Sequence, residues 1–166
     1  MNKSIIILFL VLISKQLHAQ NDKLQVVYNA IQSGDVSKAK NLIDSVAAHP
    51  ETKNDPVTWY YRGYVYKDIY KKQETSNPNS PARMKALSYF KQSVSLDKEN
   101  KYTDPCKSNI KFLATTFFND AAAHLNTENY ELSIKNYDLY KSSMKFSDST
   151  TIFKQRDIEF YLALAS

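Results

Sequence analysis

The run Trp59-Tyr60-Tyr61-Arg62-Gly63-Tyr64-Val65-Tyr66 constrains the fold of this chain more than any other stretch. Side chains three and four residues apart share one face of a helix, so Trp59, Gly63 and Tyr66 line up as large, none, large. Glycine inside a helix costs roughly 0.5–1 kcal/mol relative to alanine, and the chain has only two glycines. A glycine kept there needs compensation, and close approach of a second helix supplies it. Downstream, Ala86, Phe90 and Ser93 repeat the same spacings as small, large, small. Together the two stripes predict a helix pair whose closest crossing lies at Gly63, with Ala86 facing it.

A second segment reads in step with the first. Phe117 takes the place of Trp59 and Ala121 that of Gly63; after a polar break, Ser133 takes that of Ala86 and Tyr137 that of Phe90. Asp120 and His124 depart from it, standing where an aliphatic residue and a tyrosine are usual. Gly34 to Ile43 matches a turn and second helix, and Phe160 to Ala165 matches another first helix. The set resembles the tetratricopeptide repeat, whose signature is W-x2-L-G-x2-Y…A-x3-F. The resemblance implies an all-α fold, a right-handed α-solenoid of stacked antiparallel helix pairs with about seven helices. Its repeats would span about 23–50, 56–98 and 105–146, with a partial fourth at 149–166. Trp59, Gly63, Tyr66, Ala86, Phe90, Phe117, Ala121, Ser133 and Tyr137 would then be the packing positions between helices.

The resemblance also implies a concave surface lined by the first helix of each pair. Carried onto this chain, its partner-binding positions are Tyr60, Tyr64, Lys67 and Asp68, then Phe118, Ala122, Leu125 and Asn126. Repeats that hold a C-terminal carboxylate place Lys and Asn where Tyr60 and Tyr64 stand here, which argues against such a clamp. A mostly uncharged, aromatic groove suits an extended or helical segment held by apolar anchors.

Residues 1–19 read as a secretory leader. Lys3 supplies the positive start, Ile5 to Ile13 an unbroken apolar run, and Leu17-His18-Ala19 a cleavage site before Gln20. The run is well short of the roughly 20 residues that span a bilayer, and no cysteine follows it to accept a lipid. Residues 20–166 form the expected repeat domain, exported to the periplasm or secreted, or held at the outer membrane through a partner. Cleavage would remove Lys3 and Lys15, leaving 20 basic residues against 17 acidic ones. That small excess is scattered, with Lys71-Lys72 the longest basic run, whereas nucleic-acid binding calls for a clustered stripe.

Helix starts are marked by Asp55-Pro56, Ser80-Pro81 and Asp104-Pro105, each a capping side chain before a proline. Gly34-Asp35 ends one helix and caps the next. The expected helices run over about 23–33, 35–48, 56–73, 81–96, 105–126, 129–145 and 149–165. Gln73 to Ser80 inserts a polar loop where a tight turn is usual, and the chain between Leu96 and Phe117 is a turn or more too long. Ile110, Phe112 and Leu113 keep helical spacing there, so the extra length is expected to extend the following helix.

Nothing in the sequence assembles catalytic chemistry. Cys106 is the lone cysteine; it is expected in a first helical turn, where the dipole favours thiolate, but no His, Asn or Asp is arranged around it. His49 and His124 do not form a metal-ligand spacing, and His124 reads as a core histidine. Glu131 and Lys135 fit a surface ion pair. There is no glycine-rich phosphate loop and no nucleophile elbow, and no cofactor is implied. The sequence therefore points to an exported, non-catalytic repeat protein that binds another protein or peptide. Two other readings stand beside it: the N-terminal scaffold of a larger envelope enzyme or surface-assembly protein, and a cell-wall glycan-binding module drawing on the 12 tyrosines.

Overall fold

A computed structural model describes residues 23–148, so the leader at 1–19 and the expected helix at 149–165 lie outside the described residues. The fold is all-α. Among the described residues there are six α-helices and no strand: α1 (23–32), α2 (Val36–Ala48), α3 (Pro56–Ile69), α4 (Pro81–Leu96), α5 (Thr103–Asn126) and α6 (Tyr130–Ser147).

Local chemistry sets most of these boundaries. Gly34 has a φ of +74°, and the amides of Gly34 and Asp35 return to the carbonyls of Ile31 and Ala30 at 3.1 Å each. That double closure needs a left-handed residue, which glycine adopts without steric cost. Asp35 then accepts the amide of Lys38, Asp55 that of Val57 and Ser80 that of Arg83. Helix α3 does not run evenly to residue 73 as expected. It ends at Ile69 and widens into a π-helical turn over Tyr70–Glu74. Glu74 Oε2 accepts from Ser80 Oγ at 2.6 Å and from the Ala82 amide at 3.1 Å, tying the inserted loop to the start of α4.

The expected cap at Asp104-Pro105 is not where α5 begins. The helix starts at Thr103 without a side-chain cap, and the carboxylate that fixes the chain leading into it belongs to Asp97 of the preceding loop. Asp97 accepts the amides of Lys101 at 3.1 Å and Tyr102 at 2.7 Å and the hydroxyl of Thr103 at 2.9 Å. These three bonds hold its carboxyl below the usual range despite the opposing cost of burial, the largest single influence on it. Pro105 is tolerated two residues later because first-turn amides have no intrahelical partner.

Helices α3 and α4 pack antiparallel. Ser93 Oγ donates to the Pro56 carbonyl at 2.8 Å at one end, and the Arg83 guanidinium lies 5.3 Å from the Tyr70 ring at the other. Between them Gly63 is covered by the ring of Phe90, which supplies its nearest neighbours rather than Ala86. Helices α5 and α6 are likewise antiparallel, with Ser133 Oγ donating to the Ala121 carbonyl at 2.8 Å. Tyr137, set in the part of Phe90, meets the ring of Phe118 at 6.4 Å, as Phe90 meets Tyr60 at the matching place at 6.3 Å. Helix α5 lies beside α3 and runs the same way, Tyr102 meeting Tyr60 and Asn109 meeting Lys67 further along.

Two charged side chains stand where each of α3 and α5 meets the helix before its pair. Arg62 reaches Asp44 of α2 at 3.0 Å, and Asp120 reaches Arg83 of α4 at 2.6 Å. Arg83 is fully buried, and its guanidinium also stacks 4.1 Å from the centroid of Phe117. Asp120 is thus the counter-ion of a buried arginine.

Candidate functional site

The expected groove residues separate into two groups. Tyr60, Tyr64, Lys67 and Asp68 are half-buried on α3. Tyr60 belongs to the packing between helices: its ring centroid lies 5.4 Å from Tyr102, the residue just ahead of α5, and 6.3 Å from Phe90 of α4. Burial, with the neighbouring Cys106 thiol and other tyrosines, pushes its hydroxyl pKa up. Phe118, Ala122, Leu125 and Asn126 sit in the C-terminal half of α5. There Phe118 meets Tyr137 and Tyr140 of α6 rather than the α3 group.

What faces the α3 group is the N-terminal half of α5. Lys67 Nζ donates to Asn109 Oδ1 at 2.6 Å and lies 4.0 Å from the Tyr64 ring centroid and 6.0 Å from that of Phe112. Lys71, one turn on, brings its Nζ to 5.9 Å from the same Phe112 ring. Asn109 is oriented by its own amide, whose nitrogen donates to the Pro105 carbonyl at 2.8 Å. Its oxygen is thereby turned toward Lys67. Burial lowers the pKa of Lys67, and Lys71 adds to this while Asp68 opposes it. Neither Lys67 nor Lys71 closes an ion pair among the described residues. Lys71, Asn109 and Phe112 were not among the expected groove residues: 105–117 was expected only to extend the following helix, and Lys71 figured only in a basic run.

Other expectations resolve as follows. Trp59 is half-buried; its indole nitrogen donates to the Lys53 carbonyl at 2.7 Å while its ring tilts on Tyr89 at 5.6 Å. Tyr66 is buried and its hydroxyl donates to Asp44 at 2.8 Å. Cys106 is in α5 but wholly buried, and burial pushes its thiol up to about 11. The expected bias toward thiolate is overturned, because desolvation outweighs the helix dipole. His124 is half-buried rather than in the core. Glu131 and Lys135 do not pair; the ion pair that closes on α6 is Lys141 with Asp138, at 2.8 Å.

Two open cavities flank these packed faces. One, of about 640 Å³, lies where α1, α3 and α5 begin and is lined by Tyr28, Tyr61, Tyr102, Lys98 and Lys101 among others. The second, of about 800 Å³, runs from the inserted loop at Pro78 and Asn79 along α6 past Ile134 and Leu139. Among the described residues, no group of three or more His, Cys, Asp or Glu side chains is placed to hold a metal ion. No described helix is long and apolar enough to cross a membrane. The chain matches no family model, and no curated protein or solved structure matches it significantly.

Proposed function

We propose that this chain is an exported, non-catalytic tetratricopeptide-like protein whose stacked helix pairs form a right-handed solenoid that binds a segment of another protein. The observation that carries the reading is the side-by-side, same-direction placement of α3 and α5. That arrangement, repeated, lines one surface with the first helices of successive pairs, and such surfaces serve recognition in repeat proteins. The step from architecture to binding is analogy. Half-buried Tyr64 and exposed Phe112 offer apolar contact beside the polar head of Lys67. Capture from the cell envelope with the native chain and with a Tyr64→Ser/Phe112→Ser variant tests it. A partner recovered by the native chain and lost from an equally stable variant supports the reading; identical recoveries remove this surface from it. Export is tested by N-terminal sequencing of the mature protein, which on this reading begins at Gln20.

The cavity lined by Tyr28, Tyr61 and Tyr102 favours a second reading, a glycan-binding module, because tyrosine faces stack on sugars and the adjoining Lys98 and Lys101 supply hydrogen-bond donors. Titration with cell-wall glycan fragments decides it, and unchanged tyrosine fluorescence dismisses it.

A further inference from the structure

We infer that Lys67, oriented by Asn109 and framed by Tyr64 and Phe112, is an anion seat for a carboxylate carried on the bound protein segment beside an apolar residue. The inference rests on the peptide-binding reading above and assigns that surface a ligand chemistry.

An ammonium removed partly from water loses hydration that only an opposite charge or several hydrogen bonds restore. Lys67 has three N–H donors. One is used by Asn109 Oδ1 at 2.6 Å, and the Tyr64 ring at 4.0 Å supplies a cation–π contact. Asp68 is its sequence neighbour, yet no carboxylate stands within ion-pair distance of Lys67 among the described residues. The cation therefore retains donor capacity. Lys71, exposed and one turn away, adds charge of the same sign over the outer part of the Phe112 ring. Phe112 itself is 42% exposed and lies between two ammonium groups.

Charge complementarity fixes the kind of occupant, and the rings fix its surroundings. A carboxylate oxygen accepting from Lys67 brings its chain over Phe112, where an adjacent apolar side chain buries surface on both partners. A bare inorganic anion gains the charge contact but nothing from the ring. The charged group of the seat is Lys67, not a residue at the Tyr60 or Tyr64 position, and it depends on the N-terminal part of α5 that carries Asn109 and Phe112.

The test is an array of random short peptides, each printed once with a central Glu and once with Gln, probed with the full-length chain. Wild type should prefer the Glu member by roughly tenfold, because Gln keeps an acceptor oxygen but loses the charge. Lys67→Met should erase that preference, and Lys67→Arg should keep most of it. Melting curves exclude variants that fail to fold, and Asn109→Ala, which leaves the ammonium in place, should weaken the preference without abolishing it. Equal binding of Glu and Gln members overturns the anion seat and leaves the peptide-binding surface standing. Binding of neither member overturns both. Full competition by millimolar inorganic phosphate, with no dependence on the flanking apolar residue, overturns a peptide ligand in favour of a small-anion site.

Discussion

Gly63 offers the sharpest test of how the helix pairs are held. A Cβ at this position would lie 2.7 Å from Cδ1, 2.8 Å from Cε1 and 2.9 Å from Cγ of Phe90. All three contacts fall on one ring, and Phe90 has no exposed surface into which to retreat. Alanine would gain about 1 kcal/mol of helix propensity over glycine. Against this stands an overpacking cost of about 1–3 kcal/mol in a close-packed interior. The balance for Gly63→Ala is a loss of about 1 kcal/mol, or a midpoint lower by roughly 2–4 °C for a domain of this size. Gly63→Leu should lose more, because its branch has nowhere to go but through the ring. Phe90→Leu alone should cost about 1–2 kcal/mol on the scale of large-to-small core changes. In the double variant the new methyl enters space that the ring has vacated, so the loss should fall short of the sum by about 1 kcal/mol. Thermal and urea unfolding followed by circular dichroism measures all four corners of the cycle. A Gly63→Ala protein as stable as wild type, or additivity within about 0.5 kcal/mol, refutes the close crossing.

Asp120→Ala leaves the buried Arg83 guanidinium without its counter-ion and should cost about 2–4 kcal/mol, somewhat less than a fully buried pair because Asp120 is partly exposed; urea unfolding checks it, and an unchanged midpoint rejects the pair as a tie between α4 and α5. Glu128 has a φ of 59° in the turn between α5 and α6, where the amides of Glu128 and Asn129 return to the carbonyls of Leu125 and His124. The same turn after α1 uses Gly34, so Glu128→Gly should stabilise by about 1 kcal/mol by relieving left-handed strain, read as a raised melting midpoint. Cys106 is raised from an ordinary value of 9.0 to about 11 by burial. Its neutral thiol therefore contributes fully below pH 9, and the contribution is lost as pH climbs toward 11. The stability difference between wild type and Cys106→Ala should stay constant up to about pH 9 and then shift against wild type by about 2–3 kcal/mol; a difference that stays flat refutes the burial.

The helices were legible because their signals are local. Caps at Asp35, Asp55 and Ser80 act within three residues, and the stripes through Gly63 and Phe90 need only the helical period. The start of α5 was misread for the same reason. Asp104-Pro105 is a cap in local terms, but the chain ahead of it is fixed by Asp97, which gathers the amides of Lys101 and Tyr102 and the hydroxyl of Thr103, and the helix begins at Thr103 without a side-chain cap. No local rule ranks two competing carboxylates; the geometry of the intervening loop does, helped by Asn100 adopting a φ of 57°.

The site was half legible, and the missing half is informative. Periodicity places Tyr60, Tyr64 and Lys67 on one side of α3, but it cannot say how much of that side the next helix covers. Coverage depends on where α5 begins, since Tyr102 closes on Tyr60 while Asn109 and Phe112 reach Lys67. The observed start at Thr103 sets Tyr102 at the head of the helix against Tyr60, which packs Tyr60 away and moves the candidate surface one to two turns along α3. The charged residues on α3 and α5 follow a similar logic. Arg62 and Asp120 stand at matching places in two helices, and each finds an opposite charge on the helix before its pair, Asp44 and Arg83. The signs are reversed between the two junctions. An arginine slipped from the first junction to the second would face Arg83, and an aspartate slipped the other way would face Asp44. The paired reversals therefore favour one stacking order over its alternatives, a specificity that interchangeable aliphatic contacts do not supply.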